Sequence, residues 1–145
     1  MAAHRFSSRI VLLATAWLGV QCSSPVPAEP TPVETVITTT VFTGSLDPGS
    51  SQFHPFTTVA AGTAAATFAS LTDPSGMVLS IPLTIDLGTV AEDTLGCVSL
   101  ATVQTRPSLV SVTSLTVGVG TYCVRIADTG GLPGSATYTL RVVHP

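Results

Sequence analysis

The chain has 145 residues, of which 45% are hydrophobic and 9% charged, and its mean hydropathy is +0.54; disordered tails show the opposite balance. Lysine and asparagine are absent, which excludes lysine Schiff-base chemistry and N-linked glycosylation. Beyond Ala28 three arginines face eight acids, a net of −5. Nucleic-acid affinity rests on neutralising phosphates, so neither nucleic acid nor an anionic membrane surface is an expected partner.

The N-terminal segment reads as an address. Arg5 and Arg9 precede an unbroken apolar and small run of eleven residues from Ile10 to Val20, the pattern of a secretory signal peptide. As a helix this run rises only about 16 Å, too little for a hydrocarbon core of roughly 30 Å. Two processing sites compete. Val26-Pro27-Ala28 is an A-x-A-like signal peptidase pattern, giving a signal over 1–28. Leu18 to Cys22 resembles a bacterial lipobox, which would lipidate Cys22 and tether the chain to a membrane as an envelope lipoprotein; Gln21 stands where a small residue is usual. Residues 24–35 hold four prolines and read as an extended linker.

From there on the chain reads as strands. Thr, Val and Ser supply 56 residues, and β-branched side chains pack better on a pleated sheet than in a helix. Strands are expected over 35–43, 52–59 and 63–71. The clearest follows at Met77–Leu87, where Met77, Leu79, Ile81, Leu83, Ile85 and Leu87 alternate with Val78, Ser80, Pro82, Thr84 and Asp86. Period two marks a half-buried strand, and Pro82, lacking a donor, suits an edge or a bulge. Further strands are expected over 95–103, 109–117, 121–127 and 136–142. Between them lie breakers: Asp47-Pro48-Gly49, Asp73-Pro74-Ser75-Gly76, Gly118 with Gly120, and a Gly-rich run over 130–134. About eight strands without a helix predict an all-β fold over 36–145, a jelly-roll-like antiparallel β-sandwich; a small β-barrel is the alternative.

Cysteine counting agrees with export. Cys22 is either lipidated or removed, leaving Cys97 and Cys123 to pair in an oxidising compartment. By alternation both point away from the main apolar face. Closing that loop contributes roughly 3 kcal/mol in the chain-entropy model.

From Gly120 to Asp128 the chain reads Gly-Thr-Tyr-Cys-Val-Arg-Ile-Ala-Asp, then a Gly-rich turn, then Ala-Thr-Tyr-Thr-Leu-Arg-Val over 136–142. This resembles the closing hairpin of the bacterial pre-peptidase C-terminal domain. Phe53 to Thr57 and Val41 to Gly44 also fit that arrangement, and the resemblance spans about 35–145. It implies a small β-sandwich of the kind appended to secreted peptidases, where it helps export, localisation or substrate contact; here the domain follows a signal peptide on its own. No catalytic residue carries over.

Motifs for chemistry are few. Neither G-x-S-x-G nor H-E-x-x-H occurs, so serine-hydrolase and zincin chemistry lack their signatures. His54, between Phe53 and Pro55, reads as a structural histidine. His144, as the penultimate residue, sits where chains fray. Glu92 and Asp93 are adjacent and, with Asp86 or Asp128, are the candidate ligands for calcium, which takes six to eight oxygens; no D-x-D-x-D-G loop is present, and no other cofactor is expected. A glycan platform would need exposed aromatics, yet Trp17 lies in the signal and Phe42, Phe53, Phe56, Phe68, Tyr122 and Tyr138 fall mostly at apolar strand positions. The expectation is a non-catalytic exported module of the bacterial surface or extracellular space. Its partner would be a protein or a glycan, and calcium or glycan binding is the alternative role.

Overall fold

The computed structural model describes residues 35–91 and 96–145; the signal, Cys22, most of the linker, Glu92 and Asp93 lie outside them. Eight strands follow in order: β1 Thr38–Leu46, β2 Ser51–Thr58, β3 Gly62–Thr72, β4 Leu83–Val90, β5 Cys97–Thr105, β6 Thr113–Val117, β7 Gly120–Ala127 and β8 Ala136–His144. They form two four-stranded antiparallel sheets, ordered β1-β8-β3-β6 and β2-β7-β4-β5. The chain changes sheet at every connection except β4 to β5, the strand order of a jelly roll. Two separate sheets, not a closed barrel, is therefore the architecture.

The core lies between the sheets. Leu46, Phe68, Leu71, Leu83, Ile85, Leu87, Ile126, Leu140 and Val142 are fully buried there, and Tyr138 is nearly so. Alternation does the sorting. Along β8 the residues Ala136, Tyr138, Leu140, Val142 and His144 are buried, while Thr137 and Arg141 are exposed. Inner faces of two stacked sheets interdigitate in this way, with polar residues turned outward.

Four expectations change. The Met77–Leu87 run is not one strand. Met77 and Val78 are exposed and finish a tight turn beside β3, with Val78 bridged to Thr72 and the Leu79 amide bonded to the Leu71 carbonyl. The chain then crosses to the other sheet, and β4 begins only at Leu83. Pro82 sits at that crossing, where a missing N–H breaks no ladder, and β4 is an inner strand rather than an edge.

The expected strand over 109–117 shortens to Thr113–Val117. Ser108 and Val112 donate their amides to Phe68 and Ala66 on β3, while Leu109 and Val110 stay exposed. Finally, β7 and β8 are no hairpin, because they lie in opposite sheets.

His144, too, does not fray. It pairs with Thr38 in the β1–β8 ladder and is buried. The following Pro145 carbonyl accepts the Val59 amide, so the last strand is anchored on both sides.

The split of the 77–87 run is testable by calorimetry. Leu83→Ala, in the core, is expected to destabilise by about 3 kcal/mol. Met77→Ser, at the same periodic position but outside the core, is expected to stay within about 0.5 kcal/mol of the parent.

Candidate functional site: the outer face of the disulfide sheet

Of the four surfaces of the sandwich, the outer face of β2-β7-β4-β5 gathers three of the residues that the sequence singled out, Asp86, Cys97 and Cys123. Cross-strand register lines up Phe53, Arg125, Asp86 and Thr102 in one row, and Pro55, Cys123, Gly88 and Ser99 in the next. Asp86 is turned away from the core by alternation yet is only 1% exposed. The start of β5 folds over it. Its Oδ1 accepts the hydroxyls of Ser99 at 2.9 Å and Thr102 at 2.6 Å. Its Oδ2 accepts Nε of Arg125 at 2.7 Å and ion-pairs with the guanidinium. Burial alone would raise this carboxyl; the Thr102, Arg125 and Ser99 hydrogen bonds and the guanidinium charge outweigh it and hold the pKa below its ordinary value.

The Cys97–Cys123 disulfide lies on the same face, with a Cα–Cα distance of 5.8 Å. Strands β5 and β7 are second neighbours, with β4 between them, and would ordinarily stand about 10 Å apart. The start of β5 therefore leaves the sheet plane, after a register break opposite Leu87 and Gly88. Gly88 makes this close approach possible: a Cβ built there would lie 1.8 Å from the Val98 carbonyl oxygen. Cys123 is fully buried.

The other candidates sit elsewhere, each with its own task. Asp128 follows β7 and accepts the amides of Gly49 and Gly131 at 2.8 Å and of Leu132 at 3.3 Å. It thereby ties the turn after β1 to the Gly-rich turn before β8. Burial would raise its pKa as well, but these backbone donors, with Gly130, pull it below the ordinary value. The turn after β1 needs its glycine, since Gly49 holds φ at +71°, a region that costs other residues strain.

Asp86 and Asp128 thus have separate settings and committed oxygens. Among the described residues no three His, Cys, Asp or Glu side chains come together as a metal site; Glu92 and Asp93 are outside that set. Nor does a pocket open among the described residues.

His54 faces inward. Its Nε2 lies 2.7 Å from the Tyr138 hydroxyl, and its ring stacks on Phe42 at 4.8 Å. Gly44 leaves the room for Tyr138, whose hydroxyl lies 2.5 Å from where a Cβ at Gly44 would be. Burial pushes His54 down and Tyr138 up, as it does for any group whose charged form loses water. A parallel arrangement holds His144, which contacts Thr40 Oγ1 at 3.0 Å and packs against Phe56. Of the aromatics, Phe56, Phe68 and Tyr138 are buried, and Phe42 and Tyr122 pack against the core; Phe53 lies half-buried on the outer face beside Arg125.

Sequence reading did not pair Asp86 with Arg125. The available signal was that each is a lone charge inside an otherwise apolar strand, a placement that strands tolerate when the charge is partnered.

No protein-family model matches the sequence, and no curated protein matches it. Solved structures similar to the chain include these two. A protein from Sulfurospirillum deleyianum is 12% identical, with 70% of this chain and 96% of that one covered and a TM-score of 0.38. A protein of the disulfide-linked pili that form Bacillus endospore appendages is 10% identical, with 79% and 92% covered and a TM-score of 0.37. Likeness at this level carries nothing about what the chain does.

Two outcomes follow from the geometry. Gly88→Ala is expected to push β5 off the sheet, costing about 3 kcal/mol and exposing free thiols on Cys97 and Cys123; thiol titration of the folded variant reads this directly. The second concerns pH. The folded chain disfavours protonated His54, so the unfolded chain takes up that proton first as pH falls. Stability present above about 6.5, the ordinary His value, is therefore expected to decline below it. The carboxylates act lower still, below about 3.8. In melting curves between pH 8 and pH 5, His54→Gln, which keeps a partner for the Tyr138 hydroxyl, is expected to flatten the decline.

Proposed function

We propose that the chain is an exported, disulfide-stapled β-sandwich acting as a non-catalytic binding or structural module at the bacterial surface or in the extracellular space. The observation that carries this reading is the Cys97–Cys123 bond. It is built into a face whose shape depends on it, and such bonds persist in oxidising compartments. The titratable side chains support the non-catalytic part. Asp86, Asp128, His54 and His144 are each engaged in hydrogen bonds that join strands or turns. A nucleophile, base or metal ligand needs a free lone pair aimed at a substrate position; these groups spend theirs on the fold. No helix among the described residues is long and apolar enough to cross a membrane; in the lipoprotein alternative the tether is lipid on Cys22.

The sequence resemblance to a pre-peptidase C-terminal-like domain supports this reading, although its closing strands β7 and β8 lie in opposite sheets instead of forming a hairpin. The role that fits is localisation or contact with a partner rather than catalysis.

The intact mass of the protein recovered from envelope and medium fractions, with and without reduction, tests this reading. A soluble species beginning near Glu29, heavier by two hydrogens after reduction, is the expected result. A diacylated species beginning at Cys22 would keep the module and fix it to the envelope as a lipoprotein. An uncut N-terminus with both thiols free would overturn the proposal.

A further inference from the structure

A β-sandwich has four open strand edges, and unpaired edges are templates for further pairing unless something blocks them. Three of the four edges here carry a block. Strand β2 has Pro55 in its middle. Strand β5 breaks register with β4 opposite Leu87 and Gly88, and its start lies close over Gly88. Strand β6 has only five residues.

Strand β1 carries none of these. It runs nine residues in unbroken register with β8, from Thr38 opposite His144 to Leu46 opposite Ala136. From Thr35 to Ser45 the chain contains no charge and no proline. On β1 Val41 is 57% exposed, and Val36 and Ile37 just ahead of the strand are 69% and 61% exposed.

Folding does not demand this blandness. Thr39, Val41, Thr43 and Ser45 point away from the core and are exposed, so a lysine or glutamate at any of them would touch no core residue. The same face accepts a charge one strand away, where Arg141 stands opposite Val41 and is exposed.

We propose that β1 is the docking edge for a second copy of this chain, the two β1 strands pairing antiparallel about a twofold axis to make one continuous eight-stranded sheet. A twofold interface must be self-complementary: each residue meets its counterpart's partner in both directions. An uncharged strand of β-branched residues satisfies this, because no register within it sets like charges opposite one another, and cross-strand β-branched pairs are favourable. The exposed valines and isoleucine then gain neighbours that the lone sandwich does not provide. This inference does not depend on where the chain resides.

Sedimentation velocity on the chain as recovered from its source, disulfide intact, at up to about 100 μM, a range that reveals micromolar association, tests it. The expected result is a dimer. Val41→Lys is expected to weaken association at least about tenfold, since it sets ammonium groups near one another across the axis. Thr137→Lys, equally exposed but on the inner strand β8, is expected to leave it unchanged. Should Val41→Lys fail to fold by circular dichroism, Thr43→Lys on the same exposed row takes its place. A monomer throughout would overturn the proposal, as would a dimer indifferent to the β1 charge.

Discussion

One close approach governs the outer face of the disulfide sheet: the Val98 carbonyl occupies the place where residue 88 would carry a Cβ. Because Gly88 has none, the start of β5 can lie close over β4, and three consequences follow from this approach. Cys97 comes within bonding reach of Cys123 on a strand that is not its neighbour. Asp86 loses its water although it points away from the core. Ser99 and Thr102 come close enough to replace part of that water with hydroxyl donors. A buried carboxylate without such donors would cost several kcal/mol. With two hydroxyls and a guanidinium it becomes a cross-link among β4, β5 and β7.

The topology explains why such cross-links matter. Only β4 and β5 are both consecutive and hydrogen-bonded; every other ladder joins strands that are distant in sequence, up to β1 with β8. Folds of this type must close long loops before their contacts form, which makes their assembly slow. The disulfide acts on this cost in a specific way. Its loop of 26 residues contains β6, which belongs to the opposite sheet. The bond therefore restrains both layers, not only the face on which it lies. Asp128 works similarly at one end of the sandwich, where its carboxylate gathers amides from two turns otherwise separated by most of the chain.

Much of this was legible in the sequence, and the failures share one cause. Period-two alternation correctly indicated strands and which side chains of β8 face inward, and the cysteine pair followed from counting. Alternation reports which side of a strand a residue occupies, however, and not which sheet the strand belongs to. The Met77–Leu87 run keeps its period straight through the crossing at Pro82, so it looked like one strand although its ends serve different layers. The β7–β8 pair looked like a hairpin for the same reason. Asp86 and Arg125 lie on neighbouring strands 39 residues apart, a relation that no local window contains. His144 was misjudged because chain position was weighed without its partner strand, whose Thr40 supplies the contact.

The edge strand β1 and the interior histidines belong to one mechanical unit. Phe42 of β1 stacks on His54 of β2, and Thr40 of β1 meets His144 of β8. These contacts fasten β1 from the inside, while the nine-residue ladder with β8 fastens it from the flank. An edge held this way is already in the extended shape that a pairing strand requires, so little ordering entropy remains to oppose association. Partial burial disfavours protonated His54, so a fall in pH opposes the folded arrangement that supports β1 from within. Among the described residues Asp86, Asp128, His54 and His144 are engaged in holding strands and turns in place, so the contact proposed for β1 draws on main chain along its edge.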